Sequence, residues 1–166
     1  MVVIGELLHR KCNAAIPLVD VGTDVFALRD DREDVARIQV KTARGEPYKN
    51  GKGYYARFNI PIEQLDRADE PPLFYALVVR LDNRWGGILV ISRAKLKALR
   101  EDGLGSENKK SLALYVRFRP RVDEAENGQL LTARCGKFEL TDYINAWESL
   151  PPLKPPIAID VDEQDG

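Results

Sequence analysis

Apolar positions along this chain follow two rhythms. Ile4, Leu7, Leu8 and Cys12 recur at helical spacing ahead of Pro17, which predicts a first helix within Val3 to Ala15. A period-two rhythm then takes over. Thr23 to Leu28 and Val35 to Thr42 flank the polar run Arg29 to Asp34, as two antiparallel strands flank a charged turn. Ala43 to Gly53, rich in Gly, Pro, Asn and Lys, reads as a loop, and Tyr54 to Ile60 alternates as a strand. Pro61 to Arg67 fits a short helix. Leu73 to Leu81 and Trp85 to Ile91 read as strands joined by Asp82-Asn83-Arg84, and Ser92 caps a helix to about Arg100.

Beyond the loop Glu101 to Lys110, Leu112 to Phe118 and Gln129 to Leu140 read as strands about a turn at Glu124 to Gly128. Thr141 or Asp142 then caps a final helix to about Leu150. The pattern predicts an α+β protein, with a mixed, largely antiparallel sheet and helices packed against it. A chain of 166 residues, 44% of them apolar, suits one domain, here 1–150. The segment 151–166 holds two proline pairs and a net charge of −3, against −1 for the whole chain, which leaves +2 on 1–150. It reads as an extended acidic tail.

Composition narrows the function. No apolar run approaches the roughly 20 residues of a membrane span, and Glu6 interrupts the apolar start, so the expectation is a soluble, cytoplasmic protein with no membrane partner. Two distant cysteines, Cys12 and Cys135, and a lone His9 support neither a zinc site nor a disulfide framework, and His9 alone gives no Ser-His or Cys-His catalytic pair. The near-neutral charge argues against coating nucleic acid by bulk charge, and leaves room for a local basic patch.

The strand Val35 to Thr42 places Val35, Arg37, Gln39 and Lys41 on one face, with Ala36, Ile38, Val40 and Thr42 on the other. If the hairpin is symmetric about Asp31-Arg32, opposed residues have numbers summing to 63, and Asp24 faces Gln39. An acid, an amide and an amine then converge. Such a group suits phosphodiester hydrolysis: Asp24, the Gln39 amide oxygen and the Val40 carbonyl offer oxygens to a divalent cation, Lys41 faces the water or the phosphate, and Glu6 could complete the shell. Each residue also has a plainer reading, Asp24 as a strand-opening turn residue, Lys41 as a solvated strand position, and Glu6 as the i+4 partner of Arg10.

The segments Gly5-Glu6, Gly22-Thr23-Asp24-Val-Phe-Ala and Arg37-Ile-Gln39-Val-Lys41-Thr-Ala resemble the PD-(D/E)XK nuclease superfamily, especially small bacterial endonuclease-like proteins and group I intron homing endonucleases of this fold. The resemblance spans roughly 3–100 and leaves 111–150 as an extension. It implies an α/β/α-like core and a Mg2+- or Mn2+-dependent DNA endonuclease of mobile-element, restriction or defence context, acting as a homo-oligomer. Asp24 takes the first-motif acid, Gln39 the position usually held by Asp or Glu, Lys41 the lysine, and Glu6 the glutamate of the first helix. Gln39 removes one negative charge, so a member that binds DNA or protein without cutting is the alternative, and an α+β domain with no nucleic-acid role is a third.

Arg44, Lys49, Lys52 and Tyr48 in the loop before Tyr54 and Tyr55 are candidate DNA contacts. Gly51-Lys52-Gly53 lacks the spacing of a phosphate-binding P-loop. Arg117, Arg119 and Arg121 alternate on one strand face as a basic stripe.

Overall fold

The alternation along Asp34–Pro47 produces the longest strand of the molecule, and the rest of the fold is organised around it. A computed structural model describes residues 2–18, 22–29, 34–49, 52–68, 72–120 and 131–150. Within these lie helix α1 (Val2–His9), strands β1 (Asn13–Ala15), β2 (Val25–Arg29), β3 (Asp34–Pro47) and β4 (Tyr54–Pro61), and helix α2 (Ile62–Asp66). Strands β5 (Leu73–Arg80) and β6 (Trp85–Ser92), helix α3 (Arg93–Glu101), and strands β7 (Ser106–Glu107), β8 (Ser111–Pro120), β9 (Leu131–Cys135) and β10 (Phe138–Glu139) follow.

Strand β3 belongs to two layers. Its first part pairs antiparallel with β2 and parallel with β5, giving the layer β1-β2-β3-β5-β6. Its last residues, Gly45–Pro47, pair with β4, which continues through β8 to β9 and β10. Leu73 to Val79 are all buried, because β5 is covered on both sides. Phe74, Ala76 and Val78 join Ile38, Val3 and Leu7 of α1 in one core. Tyr75, Leu77 and Val79 meet Phe58, Leu114 and Phe118 of the second layer in the other. Tyr54 stacks on Phe118 with ring centres 5.0 Å apart, and its hydroxyl accepts a hydrogen bond from the Gly87 N–H at 2.7 Å. A Cβ on Gly86 would lie 2.8 Å from that hydroxyl, so the close approach requires glycine. Burial pushes the Tyr54 phenol above its ordinary pKa.

This architecture overturns the expected helix-flanked α/β/α core, for most of the molecule is antiparallel sheet. The physical reason lies between β3 and β5. That crossover holds the expected strand, β4, and the expected short helix, and β4 pairs with β8 in a second sheet, which covers the inner face in place of the helical layer of an α/β/α core. Tyr54 to Ile60 buries alternate residues and finds its partner in β8, more than fifty residues further on.

Four local expectations also change, one being that the strand read over Gln129 to Leu140 is two antiparallel strands, Leu131–Cys135 and Phe138–Glu139, folded back at Gly136. The first helix stops at His9, where Lys11 adopts φ 58° and the Cys12 N–H bonds the Leu7 carbonyl at 3.0 Å, a Schellman ending followed by strand β1. The expected loop from Ala43 is strand as far as Pro47. The expected final helix is two short 3-10 turns, Thr141–Tyr143 and Trp147–Ser149, separated by Asn145 at φ 54°. The Asn145 N–H instead bonds the Ile88 carbonyl at 2.8 Å, and Ile144 bridges to Leu89, so pairing with β6 displaces the helix. The expected turn at Glu124 to Gly128 and the tail 151–166 lie outside the described residues. Among the described residues no helix is long and apolar enough to cross a membrane.

Candidate functional site

The hairpin register places Asp24 at the mouth of β2. Val25 pairs with Ile38, Phe26 with Arg37 and Ala27 with Ala36, the sum of 63 expected from the sequence. Gly22 turns the chain at φ 80°, and Asp24 then donates its N–H to the Ile38 carbonyl at 3.0 Å. Its Oδ2 accepts the Val40 N–H at 2.7 Å and Gln39 Nε2 at 2.5 Å. The carboxylate thus extends the pairing of β3 beyond the last backbone bond of β2.

A second amide completes the group. Gln64 of α2 donates Nε2 to Gln39 Oε1 at 2.7 Å and to the Gly22 carbonyl at 3.3 Å. Helix α2 is held from below by Arg93, a buried cation that donates Nη1 to the Gln64 carbonyl at 3.3 Å and Nη2 to the Ala68 carbonyl. The guanidinium fork spans carbonyls at the C-terminal end of α2, where cations are favoured. Arg67 pairs with Glu63 at 2.8 Å, and its Nη1 lies 3.6 Å from where a Cβ on Gly22 would stand.

Lys41 follows Gln39 by two residues on the same face, about 7 Å along the strand. Parallel pairing sets Gln39 beside Tyr75 and Lys41 beside Leu77, both on the side of the inter-layer core. Lys41 is half-buried, and among the described residues its ammonium has no ion pair or hydrogen bond.

The other expected residues are placed elsewhere. Glu6 sits on α1, whose Val3 and Leu7 pack on the Ile38 face of the sheet, and its carboxylate pairs with Arg10 at 2.5 Å. It is not brought to Asp24, because Gln39 and Lys41 project from the opposite face. Val40 contributes its amide N–H to the cluster. Arg44 pairs with Asp82 at 3.1 Å, while Lys49 and Lys52 are exposed. Tyr48 packs near Tyr55, ring centres 6.0 Å apart, under the Arg119 guanidinium.

Among the described residues Asp24 is the one carboxylate of the cluster, and no three His, Cys, Asp or Glu side chains gather about one point. The amides nevertheless fit a cation. Gln64 Oε1 is buried and has no hydrogen-bond partner among the described residues. Turning both amides over would give that oxygen the Gln39 Nε2 donor and bring Gln39 Oε1 beside Asp24, at the cost of the Gln64 bond to the Gly22 carbonyl. Two oxygens facing each other repel unless a cation is coordinated by both, so an ion held by Asp24 and Gln39 would favour the turned-over amide of Gln39.

Gln64 and Arg93 were not legible as site residues. Gln64 lies in a short polar helix whose position depends on the non-local β4–β8 pairing, and Arg93 follows a capping serine as any first-turn residue might. No protein-family model, curated protein or solved structure matches this chain.

Proposed function

We propose that the chain is a divalent-metal-dependent DNA endonuclease working at Asp24, Gln39 and Lys41. The observation that carries this reading is the direct Asp24–Gln39 hydrogen bond with Lys41 beyond it on the same face, free of any internal counter-charge among the described residues. Asp24, Gln39 through its amide oxygen, and the Val40 carbonyl would hold the ion. When bound, such an ion polarises a phosphoryl oxygen and makes its water a better nucleophile. Asp24 supplies the only negative charge of the set, and Gln64 orients the Gln39 amide. Lys41 places a fixed positive charge where a phosphate gains negative charge on the way to the transition state.

The single carboxylate favours a second reading, a domain that binds DNA without cutting it. Calorimetric titration with Mn2+ tests the proposed ligands. Asp24→Asn keeps an acceptor for the Val40 N–H while removing the charge, and should lose Mn2+ binding with the fold retained. Gln39→Glu should bind the ion roughly tenfold or more tightly, since ligand charge raises affinity for hard cations. The same variant sets two carboxylates side by side and should lower the melting temperature in EDTA. Undiminished Mn2+ binding by Asp24→Asn would remove the ion from this site.

A further inference from the structure

The outer face of the second sheet gathers Arg57, Arg117, Arg119 and Arg134. Cross-strand register sets Glu46, Tyr55, Arg117, Arg134 and Glu139 in one row, with the acids at its ends, Arg57 beside Tyr115 in another, and Arg119 beside Thr132 in a third. Arg117 and Arg134 thus stand directly opposite one another, an arrangement that destabilises a sheet through like-charge repulsion. Arg134 reaches Glu139 at 3.5 Å, whereas Arg117 has no ion pair or hydrogen bond from its side chain among the described residues. The chain as a whole has a net charge of −1, so this concentration is local.

The same face interleaves aromatic rings with these cations. Arg57 lies over the Tyr115 ring at 5.1 Å, and Arg119 over Tyr48 at 5.8 Å. Tyr115 is 48% exposed, although its ring is large and apolar. Two hollows of about 180 and 360 Å³ adjoin here and share Arg117 and Gly136. Arg117, Arg119 and Arg134 line the smaller, and Tyr115 and Phe138 the larger.

We propose that this face binds a single strand of nucleic acid, with phosphates on Arg117, Arg119 and Arg134 and a base against Tyr115. A cationic hollow beside an aromatic one matches the repeating unit of such a strand, a phosphate followed by a base with an open π-face. A duplex offers the phosphates and keeps its base faces stacked inside, so it can use only half of this surface. The assignment goes beyond cleavage at Asp24 and does not depend on it. Arg121 lies outside the described residues.

The test is fluorescence anisotropy of a labelled oligothymidylate with the full chain, in EDTA and over a series of salt concentrations. EDTA silences metal-dependent cutting, and the arginine and Tyr115 variants assign the binding to this face. The strand should bind about tenfold or more tightly than a duplex of equal length, from stacking. Its log K against log salt should fall with a slope near −2, about 0.7 for each of three phosphates. Arg117→Gln with Arg134→Gln should make the slope shallower by about 1.4, and Arg119→Gln alone, a milder change, by about 0.7. Tyr115→Ala should weaken binding about tenfold and leave the slope unchanged. The proposal fails if the strand does not bind at low salt, if duplex binds equally well, if a free nucleotide competes as well as the strand, or if the arginine variants keep the wild-type slope.

Discussion

Lys41→Met is expected to lower DNA cleavage by about a hundredfold or more, the usual consequence of losing one preorganised charge at a reacting phosphate. The substitution keeps most of the stem length at a half-buried position where the ammonium makes no internal bond among the described residues, so stability should change little. DNA affinity should also change little, because a single phosphate contact is lost. Plasmid nicking in Mg2+ or Mn2+, beside a filter-binding titration at matched salt, separates the two. Equal losses of cleavage and affinity would make Lys41 a binding residue, and no loss of either would place the chemistry elsewhere.

Arg93→Met is expected to cost about 3 kcal/mol in urea denaturation, through two buried charge-assisted hydrogen bonds to the end of α2. Methionine fills much of the stem volume, so the loss reports the guanidinium rather than a cavity. Arg93 is a positioning residue: with its fork gone, α2 loosens and Gln64 no longer holds the Gln39 amide. Cleavage should therefore fall further than the Tm change explains, and Mn2+ affinity should fall with it. Arg93→Lys restores the charge without the fork and should recover part of the stability. An Arg93→Met variant as stable as wild type would show that α2 is held by other contacts.

How much of this was legible in the sequence depended on range. The β2–β3 register followed from a local pattern, because an amphipathic strand on each side of a short charged run leaves few pairings that keep Ile38 buried and Gln39 opposite Asp24. The Ser92 cap was legible for the same reason, its hydroxyl accepting the Lys95 N–H at 3.2 Å. Non-local competition was not legible. Strand β4 alternates as any half-buried strand does, and nothing in Tyr54 to Pro61 says that its partner is β8 rather than the central layer. Thr141 to Leu150 has helical spacing, yet the free edge of β6 at Ile88 and Leu89 offered Ile144 and Asn145 a better use of their backbone. Lys11 ends the first helix in a left-handed conformation that glycine more often marks, so the sequence carried no stop signal there. Within the site, the Asp24–Gln39 contact was legible from the hairpin, while the support from Gln64 and Arg93 depended on how the second layer folds over it.

The most direct measurement is supercoiled plasmid nicking by the wild-type chain, purified through EDTA and then supplied with Mg2+ or Mn2+. Nicked and linear products that require the ion are expected, and they should be lost in Asp24→Asn and Lys41→Met at unchanged fold. Wild-type protein that binds Mn2+ and DNA yet leaves the plasmid supercoiled at every ion concentration would contradict the endonuclease reading.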